Sequence, residues 1–138
     1  MTKKALLIAT VILVFGASGL AGERPEIAAM KSTESWLSLV DQGKYGESWD
    51  AAAKLFRAAL TRDKWKEAVG AARGPIGKLV SRTFKLAEYK TSLPGAPDGK
   101  YIVIQFDSSF ASKKTAVETV TPMQEADGSW RVSGYFVK

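Results

Sequence analysis

The sequence predicts an α+β domain in which three N-terminal helices pack on one face of a curved, four-stranded antiparallel sheet. Apolar residues recur at helical spacing up to about residue 74, whereas period-two alternation with regular turn signals begins near residue 78. A separate apolar stretch precedes both regions at the N-terminus. Helices and strands are therefore expected to be segregated along the chain, after an N-terminal signal peptide.

The N-terminal stretch has the composition of a secretory signal peptide. Two lysines precede an apolar run of 11 residues, 5–15, and small residues follow it. A membrane-spanning helix needs about 20 apolar residues, so cleavage is favoured over a retained anchor. We predict a signal peptide over residues 1–21, with Gly19 as the alternative cleavage position, and a single domain over residues 22–138. That domain is expected in the periplasm or outside the cell, with no membrane span after cleavage.

Three helices account for the first half of the domain. The first is predicted over residues 26–41, where apolar side chains form one stripe before Gly43. The second covers residues 49–60 as one continuous helix. The hydroxyl of Thr61 can cap the third, which ends at residues 74–75, a Gly-Pro pair.

Four strands account for the second half. They are predicted over residues 79–93, 101–110, 115–125 and 130–137, with turn-rich sequence between them.

Two details of these strands follow from local sequence pattern. Alternation in the first strand would place Val80, Arg82, Phe84, Leu86 and Glu88 on one face. The dipeptide at 127–128, Asp-Gly, predicts a two-residue type I′ hairpin turn.

A twisted sheet with a helical layer on one side curls, and its concave side can enclose a pocket. This architecture is that of the nuclear-transport-factor-2-like and cystatin-like folds.

Missing residue types exclude several function classes. The chain has no cysteine and no histidine, so disulfides, thiolate nucleophiles, Ser-His-Asp relays and His- or Cys-based metal sites are all excluded. We expect no metal and no cofactor. Loss of two lysines with the signal leaves 18 basic and 14 acidic residues, a net charge of +4. These charges are dispersed, which argues against a nucleic-acid partner.

An ordered set of motifs resembles a family of secreted bacterial proteins, domain of unknown function 4019. The resemblance covers nearly the whole mature chain, implies a nuclear-transport-factor-2-like fold and an export address, and brings no established activity. Its elements are Trp36, VDQGKY at 40–45, SW at 48–49, RGPIG at 73–77, SR at 81–82, LPG at 93–95, PDGKY at 97–101, ETVT at 118–121 and DGSWRVSGYF at 127–136.

The strongest candidate ligand-binding residues are two arginines. Arg73 and Arg82 flank the turn after the third helix, where two guanidinium groups can hold a carboxylate or phosphate. The alternative, which we favour, is that each pairs with an internal acid. Glu118 is the natural partner, because an unpaired carboxylate on a central strand is costly and Arg82 lies in the same sheet.

A tyrosine with a carboxylate is the alternative chemistry. Tyr135 with Glu118 or Asp107 would form a proton-transfer set in which the tyrosine stabilises an oxyanion and the carboxylate takes the proton. Nothing in the spacing singles out these acids, so we assign no catalytic residue.

Trp49 is a ligand-contact candidate, although a buried core position is the simpler interpretation. Asp41 and Asp127 lie beside glycines without the alternating oxygen ligands of a calcium loop, so they are expected to be turn or cap residues.

We therefore expect an exported, non-catalytic domain that binds a small ligand or an envelope partner in or near a pocket between sheet and helices. One alternative is a lyase-like or isomerase-like enzyme. Another is an assembly module that forms a homodimer through its open sheet face or an edge strand.

Overall fold

The computed structural model describes residues 24–138, and the predicted signal peptide lies outside them. As expected for an α+β chain, helices come first and a four-stranded antiparallel sheet follows. None of the helices described is long and apolar enough to cross a membrane. The elements are α1 (Pro25–Asp41), α2 (Tyr45–Asp50), α3 (Lys54–Ala59), α4 (Arg62–Arg73), β1 (Leu79–Lys90), β2 (Tyr101–Phe110), β3 (Lys113–Gln124) and β4 (Trp130–Val137).

The first and last helices agree with the prediction. Helix α1 starts at Pro25, where a missing amide hydrogen costs nothing because no intrahelical acceptor faces it. Thr61 caps α4 as expected: its hydroxyl oxygen accepts a hydrogen bond of 3.2 Å from the backbone amide of Lys64.

The prediction of one continuous second helix is wrong. The chain leaves the helical conformation before α3, and Ala53 is extended, with ψ of 153°. Its freed amide donates to the carbonyl oxygen of Val132 on β4 at 2.8 Å. The next amide, of Lys54, donates to the Glu125 carboxylate at 2.9 Å. These tertiary hydrogen bonds replace the intrahelical ones, and an apolar stripe alone does not reveal such partners.

The sheet is a meander in the order β1-β2-β3-β4, which leaves β1 and β4 at its edges. The predicted bounds of β2 and β4 are confirmed, whereas β1 ends at Lys90 and β3 begins at Lys113.

An irregularity in β1 reverses its faces. Phe84 lies opposite Phe106, but Leu86 lies opposite Gln105, so one extra residue is inserted between the two pairs. Leu86 and Glu88 therefore lie on the other face from Phe84, and the prediction that they share its face is wrong.

The last hairpin has a three-residue turn, so the predicted two-residue turn is wrong. The Glu125 amide donates to the Ser129 carbonyl at 2.8 Å, and the Gly128 amide donates to the Glu125 carbonyl at 2.9 Å. Gly128 has φ of +88°, the conformation that favours glycine. Asp127 holds the turn, because its carboxylate accepts from the amide and the hydroxyl of Ser129.

The core lies between the helices and one face of the sheet, and Trp36 of α1 is at its centre. The Trp36 indole donates to the Ser48 carbonyl at 2.8 Å, and its ring lies 5.9 Å from that of Trp65. Trp65 in turn meets Phe56 edge to face at 4.8 Å. The buried residues around these rings include Ala29, Leu37, Val40, Val69, Ile102, Ile104, Phe106, Val120, Trp130 and Val132.

Candidate functional site

Four charged residues from four elements meet beside the core. Asp41 ends α1, Arg73 ends α4, Arg82 lies on β1 and Glu118 lies on β3. We call these four residues the ion network. Its two arginines and two acids carry no net charge together, and the side chains of the two arginines and of Glu118 are at most 14% exposed.

Glu118 is the buried end of the ion network, with a side chain that is 0% exposed. Its Oε1 accepts from Arg82 Nε at 2.7 Å and from the Ser108 hydroxyl at 2.5 Å. Its Oε2 accepts from the Tyr135 hydroxyl at 2.5 Å and from Arg82 Nη2 at 3.1 Å. Each carboxylate oxygen therefore accepts two hydrogen bonds.

These contacts determine the ionisation of Glu118. Burial by itself raises the pKa of a carboxyl, but the hydrogen bonds from Arg82, Ser108 and Tyr135 outweigh it and leave the pKa of Glu118 below its ordinary value. The predicted Arg82–Glu118 ion pair is confirmed. Glu118 is an anion, and both of its oxygens already accept two hydrogen bonds from protein groups.

Asp41 bridges both arginines. Its Oδ2 accepts from Arg82 Nη1 at 2.8 Å, and its Oδ1 accepts from Arg82 Nη2 and Arg73 Nη2, both at 3.0 Å. The expectation that Asp41 is only a turn or cap residue is wrong, because its carboxylate ties α1 to α4 and to β1.

Arg73 has fewer partners than Arg82. Besides Asp41, its guanidinium reaches the Tyr135 hydroxyl at a long 3.5 Å and lies 4.7 Å from the centre of the Phe110 ring. Its Nε has no hydrogen-bond partner among residues 24–138. The prediction that Arg73 pairs with an internal acid is confirmed. The face of the Phe110 ring also attracts its guanidinium.

Their surroundings also set the protonation of Arg82 and Tyr135. Burial opposes the charge on Arg82, yet its bonds to Asp41 and Glu118 raise its pKa above the ordinary value. Burial and the nearby Glu118 charge raise the pKa of Tyr135 far above its ordinary value. Arg82 is therefore charged, and Tyr135 is a neutral phenol whose hydroxyl donates a hydrogen bond to Glu118.

Two candidates from the sequence lie apart from the ion network. The Trp49 indole donates to the Leu60 carbonyl at 2.8 Å, and its ring packs at the margin of the core. Asp107 pairs at 3.7 Å with Lys85, and both side chains are largely exposed. Because Asp107 neighbours Phe106 on β2, it faces away from the helices. Tyr135 and Glu118 are thus brought together, but Asp107 is not.

A cleft of about 440 Å³ opens between α1 and the β1–β2 hairpin, next to the ion network. We call it the α1–β1 cleft. Arg82 and Asp41 form one part of its wall, and the ring of Phe84, which is 53% exposed, forms another. The residues that line it are Met30, Glu34, Leu37, Ser38, Asp41, Arg82, Phe84 and Phe106.

The interpretation of the sequence missed Asp41, Ser108 and Glu34. A signal for Ser108 was present, because alternation places it between Phe106 and Phe110 on the apolar face of β2. Asp41 and Glu34 carry no such signal, because only the packing of α1 over β1 brings them near Arg82. No group of acidic residues suited to a metal ion occurs in the part of the chain that the structure describes.

Comparison with known proteins gives a family but no activity. Curated proteins give no match to the chain. The family model described as protein of unknown function (DUF4019) matches residues 32–135, a range that contains the whole ion network and most of the cleft. The chain therefore belongs to the DUF4019 family of proteins of unknown function.

Proposed function

We propose that this protein is an exported, non-catalytic domain that binds a small amphipathic ligand in the α1–β1 cleft. One observation carries the proposal: a cleft of about 440 Å³ combines exposed aromatic surface with charged groups that are already held in position. This volume lies within the range of small-molecule sites, which are largely apolar with a few placed polar groups.

The polar part of the cleft is preorganised. Arg82 makes two hydrogen bonds to Asp41 and two to Glu118, so its guanidinium plane is held on both sides. Asp41 is held by Arg73 as well. A ligand that contacts these groups would not have to order them, which lowers the entropic cost of binding.

The apolar part of the cleft offers surface that water covers in the free protein. The Phe84 ring meets Phe106 edge to face at 6.5 Å and keeps its other side exposed. Met30 of α1, which is half-buried, lies on the opposite wall above the buried Leu37. Burial of such surface by a ligand contributes roughly 25 cal/mol per Å².

The hydrogen bonding of Glu118 and Tyr135 favours binding over catalysis. A general base needs a free lone pair of suitable basicity, whereas both Glu118 oxygens accept two hydrogen bonds each and its pKa is lowered. The Tyr135 proton is committed to Glu118, so it is not directed at a substrate oxygen. Neither residue lines the cleft.

Export and a nuclear-transport-factor-2-like or cystatin-like arrangement belong to the same proposal. Export is supported by the N-terminal sequence pattern, and the fold type by helices that precede a four-stranded meander. A periplasmic or secreted location would give the cleft access to extracytoplasmic small molecules.

The test is a titration of the purified, isotope-labelled protein with a library of amphipathic fragments, followed by two-dimensional amide NMR. We expect shifts that concentrate on α1 and the β1–β2 hairpin. Phe84→Ala should weaken binding about fivefold or more, because it removes the exposed ring of the cleft. Phe136→Ala is the matched control, since Phe136 is 56% exposed on β4.

Absence of binding by every fragment would count against a ligand site. An equal loss in both phenylalanine variants would place the interaction outside the cleft.

A second candidate function is assembly of two copies through the open sheet face. It is favoured by Phe136, which lies opposite Thr119 on the face away from the helices and is largely exposed. Sedimentation of the protein and of Phe136→Ser tests it: a dimer that the substitution dissociates supports assembly, and a monomer at all concentrations contradicts it.

A further inference from the structure

We infer that the ligand of the α1–β1 cleft is an organic cation, a primary amine attached to an aromatic or aliphatic body. This inference rests on the proposed function and names its ligand class. It depends on which charges in the cleft are compensated and which are not.

The carboxylates of the cleft lie along one face of α1. Glu34, Ser38 and Asp41 are spaced four and three residues apart, which places them on successive turns of the same helix face. Met30, one turn before Glu34, and Phe84, across the cleft, add apolar surface. A polar strip that accepts hydrogen bonds therefore runs beside an apolar wall.

Arg82 is the one cation among the described residues that line the cleft, and its charge is already compensated. Its four hydrogen bonds to Asp41 and Glu118 use four of the five N–H groups of the guanidinium. An anionic ligand would need two free N–H groups for bidentate binding. It would have to displace an acid that is already in place.

Glu34 has no such compensation. It is exposed and lines the cleft, and none of the ion pairs among residues 24–138 includes it. Since the ion network is neutral, Glu34 leaves the cleft with a net charge of about −1, although the mature protein as a whole is basic. The local field therefore favours a cation over an anion.

The aromatic wall fits the same ligand. An ammonium group near the carboxylates of Glu34 and Asp41 would leave its hydrocarbon body against the exposed ring of Phe84. The faces of aromatic rings also attract cations. Charge, hydrogen-bond acceptors and apolar surface thus all select an amphipathic amine.

Three probes with the same phenyl ring and two-carbon spacer test the inference: phenethylamine, phenethyl alcohol and 3-phenylpropionate. Their dissociation constants are measured by NMR titration on the intact purified protein. We expect the amine to bind about fivefold or more tightly than the alcohol, and the acid to bind most weakly. The advantage of the amine should shrink at high salt, because added ions screen a partly exposed pair.

Two glutamate variants test whether Glu34 is the source of the preference for the amine. Glu34→Gln keeps the shape of the side chain and removes its charge, so the amine should lose about fivefold in affinity while the alcohol is unchanged. Glu67→Gln, an exposed position on α4, makes the same change in net charge and should alter none of the three constants.

Binding of the acid as tightly as the amine would overturn the inference, and so would an amine preference that persists in Glu34→Gln. If all three probes bind alike and Phe84→Ala abolishes that binding, the cleft is a ligand site but not one for amines. If neither these probes nor the fragment library binds, both proposals are wrong.

Discussion

Arg82 and Glu118 are joined by two hydrogen bonds, of 2.7 and 3.1 Å, although β2 separates the strands on which they lie. Ser108 is the residue of β2 opposite Arg82, and its side chain is small enough for the guanidinium to pass over it. The Ser108 hydroxyl also donates to Glu118. The pair thus couples the edge strand β1 to the centre of the sheet and, through Asp41, to α1.

Removal of one partner from this pair should be costly. Glu118→Leu leaves Arg82 paired only with Asp41, whereas Arg82→Leu leaves the buried Glu118 without its cation. Each variant should lower the free energy of unfolding by about 3–5 kcal/mol. The double variant should lose about 2 kcal/mol less than the sum, because neither charge is then left alone. Urea unfolding of the three variants measures this coupling.

Asp50→Asn is the control for that cycle. It removes the charge of Asp50 from its ion pair with Arg62. Because both side chains of that pair are about half exposed, the unfolding midpoint should be unchanged. Additive losses in the double variant would show that Arg82 and Glu118 are energetically independent.

The buried carboxylate should make stability dependent on acidic pH. Since the pKa of Glu118 is lowered on folding, its contribution is complete above the ordinary value of 4.5 and is lost as the pH falls through the folded pKa. The free energy of unfolding of the wild-type protein should fall more steeply than that of Glu118→Gln between about pH 5 and pH 2. Equal slopes in denaturant titrations would contradict this.

Tyr135 should have its effect at alkaline pH, with the opposite sign. Because its pKa is raised on folding, the neutral phenol stabilises the fold fully below the ordinary value of 10.0, and this stabilisation is lost as the pH rises above it. Tyr135→Phe should cost about 1–3 kcal/mol at neutral pH and should flatten the decline above pH 10.

Tyr89→Phe alters an exposed tyrosine and serves as the control. If the alkaline profile of Tyr135→Phe matches the wild-type profile, the hydrogen bond to Glu118 does not govern the ionisation of Tyr135.

Ser108 should matter both for its hydroxyl and for its size. Ser108→Ala removes a 2.5 Å hydrogen bond to a buried carboxylate and should cost about 1.5–3 kcal/mol. Ser108→Leu should cost more, since the larger side chain would occupy the path of the Arg82 guanidinium. Thermal unfolding ranks the two variants. Ser109→Ala, the adjacent residue on the opposite face, should be close to wild type.

The site was only partly predictable from the sequence. Glu118 and Arg82 could be paired in advance, because an acid on a central strand needs a cation and the same sheet contains one. Asp41 could not be added, because its distance from Arg82 depends on how α1 crosses the sheet. Asp107 was an equal candidate until the register placed its side chain on the opposite face.

Local rules predicted the fold where backbone hydrogen bonds are made within an element or between adjacent strands. Helices α1 and α4 and strands β2 and β4 follow from periodicity, capping and turn residues, because these act within a few residues of each other. Where a distant acceptor competed for a backbone amide, as Val132 does at Ala53, the local rule failed.

Residue pattern and composition were sufficient to derive the class of the domain, the order of its elements and the chemistries that a chain without histidine or cysteine cannot perform. They did not reveal that two arginines and two acids form one neutral network, that Glu34 remains outside it, or that a cleft opens beside it. The cause is distance: composition and periodicity are properties of neighbouring residues, whereas charge compensation depends on partners such as Arg82 and Asp41, 41 positions apart, that only packing brings within hydrogen-bond reach.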